Sequence, residues 1–144
     1  AGDSQKRLDQ EIDLSDPKRL FVTQLPFVHI DSIPTILSES DLFIFASSCE
    51  NMPVTLIEGM ASGLPIACSD RGPMPEVLAA GGVYFDPERP SSIVRAIYSL
   101  VTDPVLRMES IEVSRNISKE YLWKINSKMT FDFLVRTIEL EKFD

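Results

Sequence analysis

The sequence predicts an α/β domain in which a Rossmann-like parallel sheet is covered by helices. The first observation is a set of short apolar, β-branched or aromatic runs, at residues 20–23, 42–46, 66–68 and 83–85. Because apolar residues do not alternate with polar ones in these runs, they are typical of strands buried on both faces of a sheet. The second observation is that helix signals stand between the runs, as in strand–helix–strand units with right-handed crossovers.

The clearest helix signal follows the run at residues 42–46. Pro53 stands where a helix would begin, Val54, Ile57 and Ala61 would form its apolar face, and Gly63 would end it. The sequence therefore predicts a strand, a loop at residues 47–52 and a helix in direct succession.

The 144 residues fit one domain, residues 1–144. A last helix, at about residues 122–142, has more large apolar side chains than one buried face needs, which predicts a second neighbour outside this domain. The chain opens on Ala1 and Gly2 and a polar helix where a doubly wound domain would have further strand–helix units. We therefore expect a domain truncated at its N-terminus.

Charge and cysteine content exclude several classes of protein. Fourteen Lys and Arg stand against 22 Asp and Glu, a formal charge of −8, which argues against nucleic acid or an anionic membrane as a general partner. Cys49 and Cys68 lack the C-x-x-C spacing of zinc or redox sites and are predicted to be reduced thiols. No signal segment is recognisable and no apolar run approaches the ~20 residues of a membrane span, so we expect a soluble, cytoplasmic protein.

The loop at residues 47–52 lies where open parallel sheets bind ligands, outside the carboxyl ends of the strands. The unpaired N–H groups of the following helix and its dipole would favour a phosphate or diphosphate by about a kcal/mol or two. Glu58, with the small residues Gly59, Ala61 and Ser62 nearby, could accept two hydrogen bonds from a diol such as ribose. Glu50, which precedes the helix, could accept hydrogen bonds from the hydroxyls of a second sugar. The alternative is that both glutamates are ordinary surface charges.

Three other side chains have competing interpretations. His29 lies close to the predicted nucleobase end, but no nucleophile or acid neighbours it, so a structural or solvent-facing histidine is favoured. Cys49 adjoins the anionic Glu50, and a packed thiol is favoured over a nucleophile. Arg71 could contact a phosphate, or could pair with Asp70 or Glu76 on the surface.

Three motifs carry a resemblance to a known family. They are SSCENMP at residues 47–53, LIEGMASGLP at residues 56–65 and SDRGPMPEV at residues 69–77. Together they resemble the donor-site signature of the retaining glycosyltransferases of family four, which have the GT-B fold of two facing Rossmann-like domains. The resemblance runs from about residue 20 to residue 123. At its end, EYLW is similar to the aromatic motif from which the family's last helix crosses back to the other domain.

The resemblance implies a role for each matching residue. Glu50 would be catalytic and meet the hydroxyls of the transferred sugar, and Glu58 would bind the ribose. The remaining contacts would be made by backbone groups: Asn51 and Met52 to the sugar, Val54 and Thr55 to the diphosphate, and Gln24, Leu25 and Pro26 to the nucleobase. The family needs neither a metal nor another cofactor, and the sequence contains no D-x-D motif.

The implied protein is the C-terminal, donor-binding half of a GT-B enzyme. It would move a hexose from a nucleoside diphosphate sugar to a glycan or glycolipid acceptor in polysaccharide biosynthesis. The N-terminal acceptor domain, on which the helix at about residues 122–142 would dock, is missing, as are the Arg and Lys that neutralise the leaving diphosphate. The fragment alone is therefore expected to be inactive, and any membrane contact would come through the missing domain.

Two alternatives stay open on the sequence. One is a non-enzymatic α/β docking module of the response-regulator or flavodoxin kind. The other is a sugar nucleotide epimerase that shares the GT-B fold. A Rossmann dehydrogenase is disfavoured because no G-x-G-x-x-G is present.

Overall fold

A computed structural model describes residues 3–140 of the chain. The described residues form two compact units that divide between Ile33 and Pro34. The strands are β1 (Phe43–Phe45), β2 (Ile66–Ser69) and β3 (Val83–Phe85). The helices are α1 (Asp3–Ser15), α2 (Ile33–Ser38), α3 (Val54–Ser62), α4 (Met74–Leu78), α5 (Pro90–Thr102), α6 (Pro104–Ser118) and α7 (Trp123–Leu140), with 3₁₀ turns at Ile30–Ser32 and Lys119–Tyr121.

In the first unit, the predicted strand at residues 20–23 is wrong. The buried carboxylate of Asp16 accepts hydrogen bonds from the N–H groups of Leu20, Phe21 and Val22, at 2.8, 2.9 and 2.8 Å. Burial acts to raise the pKa of Asp16, but these three bonds and the charge of Arg19 together hold it below its usual value of 3.8. The segment therefore folds around a carboxylate, and two of its apolar side chains, Leu20 and Phe21, are exposed.

The second unit contains a parallel sheet in the order β1-β2-β3. Phe43 to Phe45 pair with Ile66 to Cys68, and Ala67 to Ser69 pair with Val83 to Phe85. Since α3 connects β1 to β2 and α4 connects β2 to β3, the chain alternates strand and helix as predicted. The predicted fold class and three of the four predicted strands are confirmed.

Both faces are covered at the central strand β2, as the apolar runs predict, whereas Ile44 in the edge strand β1 is 45% exposed and the prediction of burial on both faces is wrong there. Ile66 and Cys68 face a cluster that α3 and α4 supply, whereas Ala67 faces Ala96 and Leu100 of α5. This alternation follows from the two-residue period of a strand. All four residues of β2 are buried, so the central strand needs apolar or small side chains throughout.

The helix α7 leaves large apolar side chains exposed along its length. The predicted helix at residues 122–142 is confirmed from Trp123 to Leu140, and residues 141–142 lie outside the described residues. The exposed apolar side chains of α7 are Trp123, Ile125, Met129, Phe131, Phe133, Leu134, Val135 and Ile138. Of the helices that the structure describes, none is long and apolar enough to cross a membrane.

Candidate functional site

The N-terminus of α3 faces the end of the sheet where β1 finishes. Pro53 precedes the helix with φ −80° and ψ 72°, and the Val54 N–H donates to the Met52 carbonyl at 2.9 Å. These values describe an inverse γ-turn, a conformation common where a loop changes direction. Of the two amides predicted for a diphosphate, that of Val54 is therefore already engaged. The Thr55 N–H makes no hydrogen bond within residues 3–140.

The loop before α3 presents two further backbone donors. In the described part of the chain, the N–H groups of Asn51 and Met52 have no acceptor. Both residues are exposed, so water satisfies these groups when no ligand is bound. Three of the four amides predicted to meet the sugar and the diphosphate are thus available, at Asn51, Met52 and Thr55.

Glu50 and Glu58 lie on either side of these donors in the sequence, Glu50 in the loop and Glu58 in the second turn of α3. Both glutamates are half-buried. Neither carboxylate takes part in an ion pair or a side-chain hydrogen bond with any residue that the structure describes. Because a carboxylate can accept several hydrogen bonds, each glutamate can accept hydrogen bonds from the hydroxyl groups of a ligand. Their assignment to sugar and ribose stays a prediction.

Gly59, the small residue next to Glu58, packs against the sheet. Gly59 is buried, and a Cβ built on it would lie 2.7 Å from a ring carbon of Phe43 in β1. The residue therefore allows α3 to pack closely on the sheet. Ala61 and Ser62, the other small residues near Glu58, are exposed.

Arg71, the predicted phosphate contact, is held by two carboxylates. Its Nη1 donates to Asp70 Oδ1 at 2.6 Å, and its Nη2 donates to Asp86 Oδ1 at 2.8 Å. The predicted alternative of a pair with Asp70 is present, whereas Glu76 is not its partner in the described structure. A phosphate would have to compete with these ion pairs for the guanidinium group.

The three residues predicted to meet the nucleobase lie in the first unit. Gln24, Leu25 and Pro26 follow no strand, but they line an open cleft of about 460 Å³ together with Gln5, Asp9 and Phe27. Phe27 is 95% exposed, which leaves its ring face available. The nucleobase role of these residues stays a prediction.

His29 is solvent-facing, as the sequence indicates. Its side chain is exposed, and its Nδ1 accepts a hydrogen bond from the Asp31 N–H at 3.4 Å, which caps the 3₁₀ turn. The prediction of a packed thiol at Cys49 is wrong, because Cys49 is exposed in the loop. Burial raises the pKa of the Cys68 thiol to about 12.

We expect Cys49 and Cys68 to differ sharply in their rates of reaction with a thiol-specific reagent. In native protein at pH 8, one equivalent of the aromatic disulfide dithiobis(nitrobenzoic acid) should react within minutes at Cys49, because only this thiol is exposed. Cys68 should react only after unfolding in guanidinium chloride. Cys49→Ser is the control, which should abolish the native reaction, and a fast reaction of two equivalents with native protein would contradict the buried position of Cys68.

Asp86 was missed by sequence reasoning. It follows β3 directly, at the same edge of the sheet as the loops after β1 and β2, and it binds both Arg71 and Arg89. An acidic residue immediately after the run at residues 83–85 was the available signal. Within the described residues, no group of three or more His, Cys, Asp or Glu could hold a metal ion, and the predicted independence of metal stays a prediction.

Comparison with known protein families shows to which family the chain belongs. The family described as glycosyl transferases group 1 matches residues 1–117, which include the α3 loop and every predicted site residue. The chain belongs to the group 1 glycosyl transferases.

Relatives of this group 1 glycosyltransferase domain are longer proteins. The O-antigen chain mannosyltransferase B of Escherichia coli is 24% identical over 106 residues, which are 72% of this chain and 27% of the relative. Spore coat protein SA of Bacillus subtilis is 33% identical over 99 residues, which are 65% of this chain and 26% of the relative. The chain thus spans about a quarter of the length of these curated relatives.

Solved structures share the fold of this group 1 domain. Sucrose-phosphate synthase from Thermosynechococcus elongatus aligns over 95% of this chain and 35% of its own, with a TM-score of 0.83 and 16% identity. The C-terminal domain of a group 1 family glycosyl transferase from Francisella tularensis aligns over 84% of this chain and 64% of its own, with a TM-score of 0.69 and 20% identity. These structural neighbours have the GT-B-like fold of glycosyltransferases.

Proposed function

We propose that this chain is the donor-binding half of a retaining, family-four glycosyltransferase. It binds a nucleoside diphosphate hexose. The bond between the anomeric carbon and the diphosphate breaks, the anomeric carbon bonds to a hydroxyl oxygen of a glycan or glycolipid acceptor, and the proton of that hydroxyl passes to the released diphosphate. The observation that carries this proposal is the free N–H groups of Asn51, Met52 and Thr55, flanked in the sequence by two carboxylates without partners among the described residues. The N–H groups can donate hydrogen bonds to a diphosphate, and the carboxylates on either side of them in the sequence can accept hydrogen bonds from a sugar and from a ribose.

Each group has a distinct task in the proposed reaction. The Thr55 N–H and the positive end of the α3 dipole bind the diphosphate and stabilise it as charge develops on the leaving group. Glu50, with the Asn51 and Met52 amides, holds the hydroxyls of the transferred sugar and is the catalytic residue. Val54 joins the diphosphate contacts by exchanging its bond to the Met52 carbonyl for one to the ligand.

The proposed nucleobase contacts come from Gln24, Leu25 and Pro26. What supports them is that all three line one cleft, with backbone groups outside any strand or helix and with the exposed ring of Phe27 beside them. A ring exposed on one face can stack on a base, which contributes ~1–3 kcal/mol in single-stranded nucleic acid complexes. No metal or other cofactor is needed in this proposal, because backbone amides and a helix dipole supply the positive potential.

The acceptor domain is proposed to lie N-terminal to this domain in the complete protein, with α7 docked on it. Phe131, Leu134, Val135 and Ile138 have the i, i+3, i+4, i+7 spacing of one exposed apolar face. Ile125, Met129 and Phe133 form a second stripe at i, i+4 and i+8. The Francisella structure is that of a C-terminal domain, and its similarity to this chain supports this order of domains. Without the acceptor domain, this cytoplasmic domain binds its donor and does not turn it over.

The ribose assignment predicts a specific loss in Glu58→Ala. We expect about tenfold weaker binding of the matching nucleoside diphosphate, because a hydrogen bond to a charged group is removed. The 2′,3′-dideoxy nucleotide should bind the wild type about as weakly as the variant. Isothermal titration calorimetry with UDP, GDP and ADP measures both effects.

The charge-matched control is Glu109→Ala, an exposed acid on α6. It should leave the affinity and the penalty for the dideoxy sugar unchanged. If the full dideoxy penalty persists in Glu58→Ala, Glu58 does not bind the ribose.

A further inference from the structure

One charged side chain, that of Asp9, lines the cleft at which the nucleobase is proposed to bind. Asp9 belongs to α1 and is half-buried. The residues that line the cleft in the described structure are Gln5, Asp9, Gln24, Leu25, Pro26 and Phe27. Because an ionised carboxylate accepts hydrogen bonds and donates none, a ligand beside Asp9 is expected to supply N–H or O–H groups.

Gln5 holds the carboxylate of Asp9 from the preceding turn of α1. Its Nε2 donates to Asp9 Oδ1 at 3.2 Å. Asp9 Oδ2 has no hydrogen bond or ion pair with any residue between 3 and 140, and Oδ1 keeps a second lone pair. The Gln5 amide nitrogen carries a second hydrogen that this bond does not use. The two side chains therefore offer one N–H donor next to two oxygen acceptors.

The two sides of the cleft are joined by a turn that hydrogen bonds close. At the end of α1, the Asp16 N–H donates to the Ile12 carbonyl at 2.7 Å. The buried Asp16 carboxylate then accepts from the N–H groups at residues 20–22. Gln24, the first cleft residue of the second side, follows the last of these bonds by two positions. The turn between α1 and the second side is thus formed without a ligand.

The common nucleobases differ in the hydrogen bonds that they can donate to such a pair of side chains. On its Watson–Crick edge, guanine has two adjacent donors, N1–H and the N2 amino group, with the O6 acceptor beside them. Adenine and cytosine have a ring nitrogen acceptor next to the amino group, and uracil has one N–H between two carbonyls. Proteins read unstacked bases by hydrogen bonds to this edge. Among these bases, guanine alone matches both acceptor oxygens.

We propose that the cleft selects guanine, so that the donor substrate is a guanosine diphosphate sugar. Asp9 accepts from N1–H and from the N2 amino group, and the Gln5 amide donates to O6. The inference rests on the proposed function for the binding of a nucleotide, and it adds which base is bound and which side chain selects it. Asp9 is then the specificity-determining residue, since a site that hydrogen-bonds one ligand rejects analogues without those groups.

The first test compares nucleotides on the wild-type chain by isothermal titration calorimetry. GDP is measured against inosine diphosphate, which differs from it only in lacking the N2 amino group. GDP should bind about tenfold more tightly, because inosine diphosphate loses one hydrogen bond to a charged group. UDP and ADP, which leave a carboxylate oxygen facing an acceptor, should bind at least about tenfold more weakly than GDP.

The second test assigns the selection to Asp9. Asp9→Asn keeps the size of the side chain and replaces one acceptor oxygen by a donor amide. The advantage of GDP over inosine diphosphate should fall from about tenfold to less than about twofold. The matched control is Glu11→Gln, which removes one negative charge from an exposed position of the same helix and should keep the full difference.

The outcomes separate this inference from the proposed function. Equal affinities of the wild type for GDP and inosine diphosphate, or tighter binding of UDP or ADP than of GDP, overturn the guanine assignment while a nucleoside diphosphate still binds. An undiminished difference in Asp9→Asn overturns the role of Asp9. If none of the four nucleotides binds, the proposed function fails and the inference fails with it. Should Asp9→Asn not fold, the comparison of GDP with inosine diphosphate on the wild type still decides the base.

Discussion

Leu100→Ala is expected to lower the free energy of unfolding of the second unit by about 3 kcal/mol. Leu100 is fully buried and belongs to the cluster of Ala67, Phe85 and Ala96 that covers one face of the sheet. Removing three carbons there forfeits the transfer free energy of the side chain and leaves a cavity, as in other Leu→Ala series. Urea unfolding followed by far-ultraviolet circular dichroism measures the change.

The neighbouring residue supplies the control for Leu100. Val101 is on the same helix and is 61% exposed, so Val101→Ala should change the free energy of unfolding by no more than about 0.5 kcal/mol. If both variants lose the same stability, α5 does not pack on the sheet through the face described. The comparison is informative because both substitutions leave alanine at adjacent positions of one helix.

Gly82→Ala is the second substitution with a large expected effect. A Cβ at this position would lie 2.6 Å from the Ile66 carbonyl oxygen and 2.8 Å from Leu78 Cδ2. The first contact is with the backbone of the central strand, which cannot change rotamer to relieve it. We expect a loss of about 1–3 kcal/mol in the free energy of unfolding, the usual cost of overpacking, in the same urea experiment.

The location of the damage provides a second readout for Gly82→Ala. Hydrogen exchange should become faster at the amides of β2 and β3, whose pairing begins next to the glycine. Ala80→Ser, which adds one atom at an exposed position of the same turn, is the control and should leave exchange unchanged. Unaltered stability and exchange in Gly82→Ala would contradict the close approach of this turn to β2.

The sheet could be predicted from sequence because its burial leaves a local signature. A strand covered on both faces must be apolar or small at successive positions, as the buried central strand β2 is; β1 and β3 are apolar throughout, although Ile44 of β1 is exposed. Residues 20–23 have the same apolar pattern, but they do not form a strand. There the carboxylate of Asp16, only 4 to 6 residues earlier in the chain, accepts hydrogen bonds from three backbone N–H groups, and whether it does so depends on how the whole segment folds.

The candidate site was predictable in its position and less so in its details. A strand end followed by Pro53 and an apolar helix face locates the N-terminus of α3 from sequence alone. The engagement of the Val54 N–H depends on the ψ angle of Pro53, which the sequence does not determine. The anchoring of Arg71 depends on Asp86, fifteen residues away, and only the packing of β3 beside β2 brings the two together.

The central claim is that the amides at the start of α3 bind a nucleoside diphosphate. The most direct measurement is an amide NMR titration of the chain with UDP, GDP and ADP, each to millimolar concentration, with the corresponding nucleosides as controls. With one of the three diphosphates, the signals of Asn51, Met52, Thr55 and Glu58 are predicted to shift most, and the nucleoside should leave the first three unmoved. If none of the diphosphates shifts these amides, or if the largest shifts lie outside residues 50–58 and 24–27, the claim is contradicted.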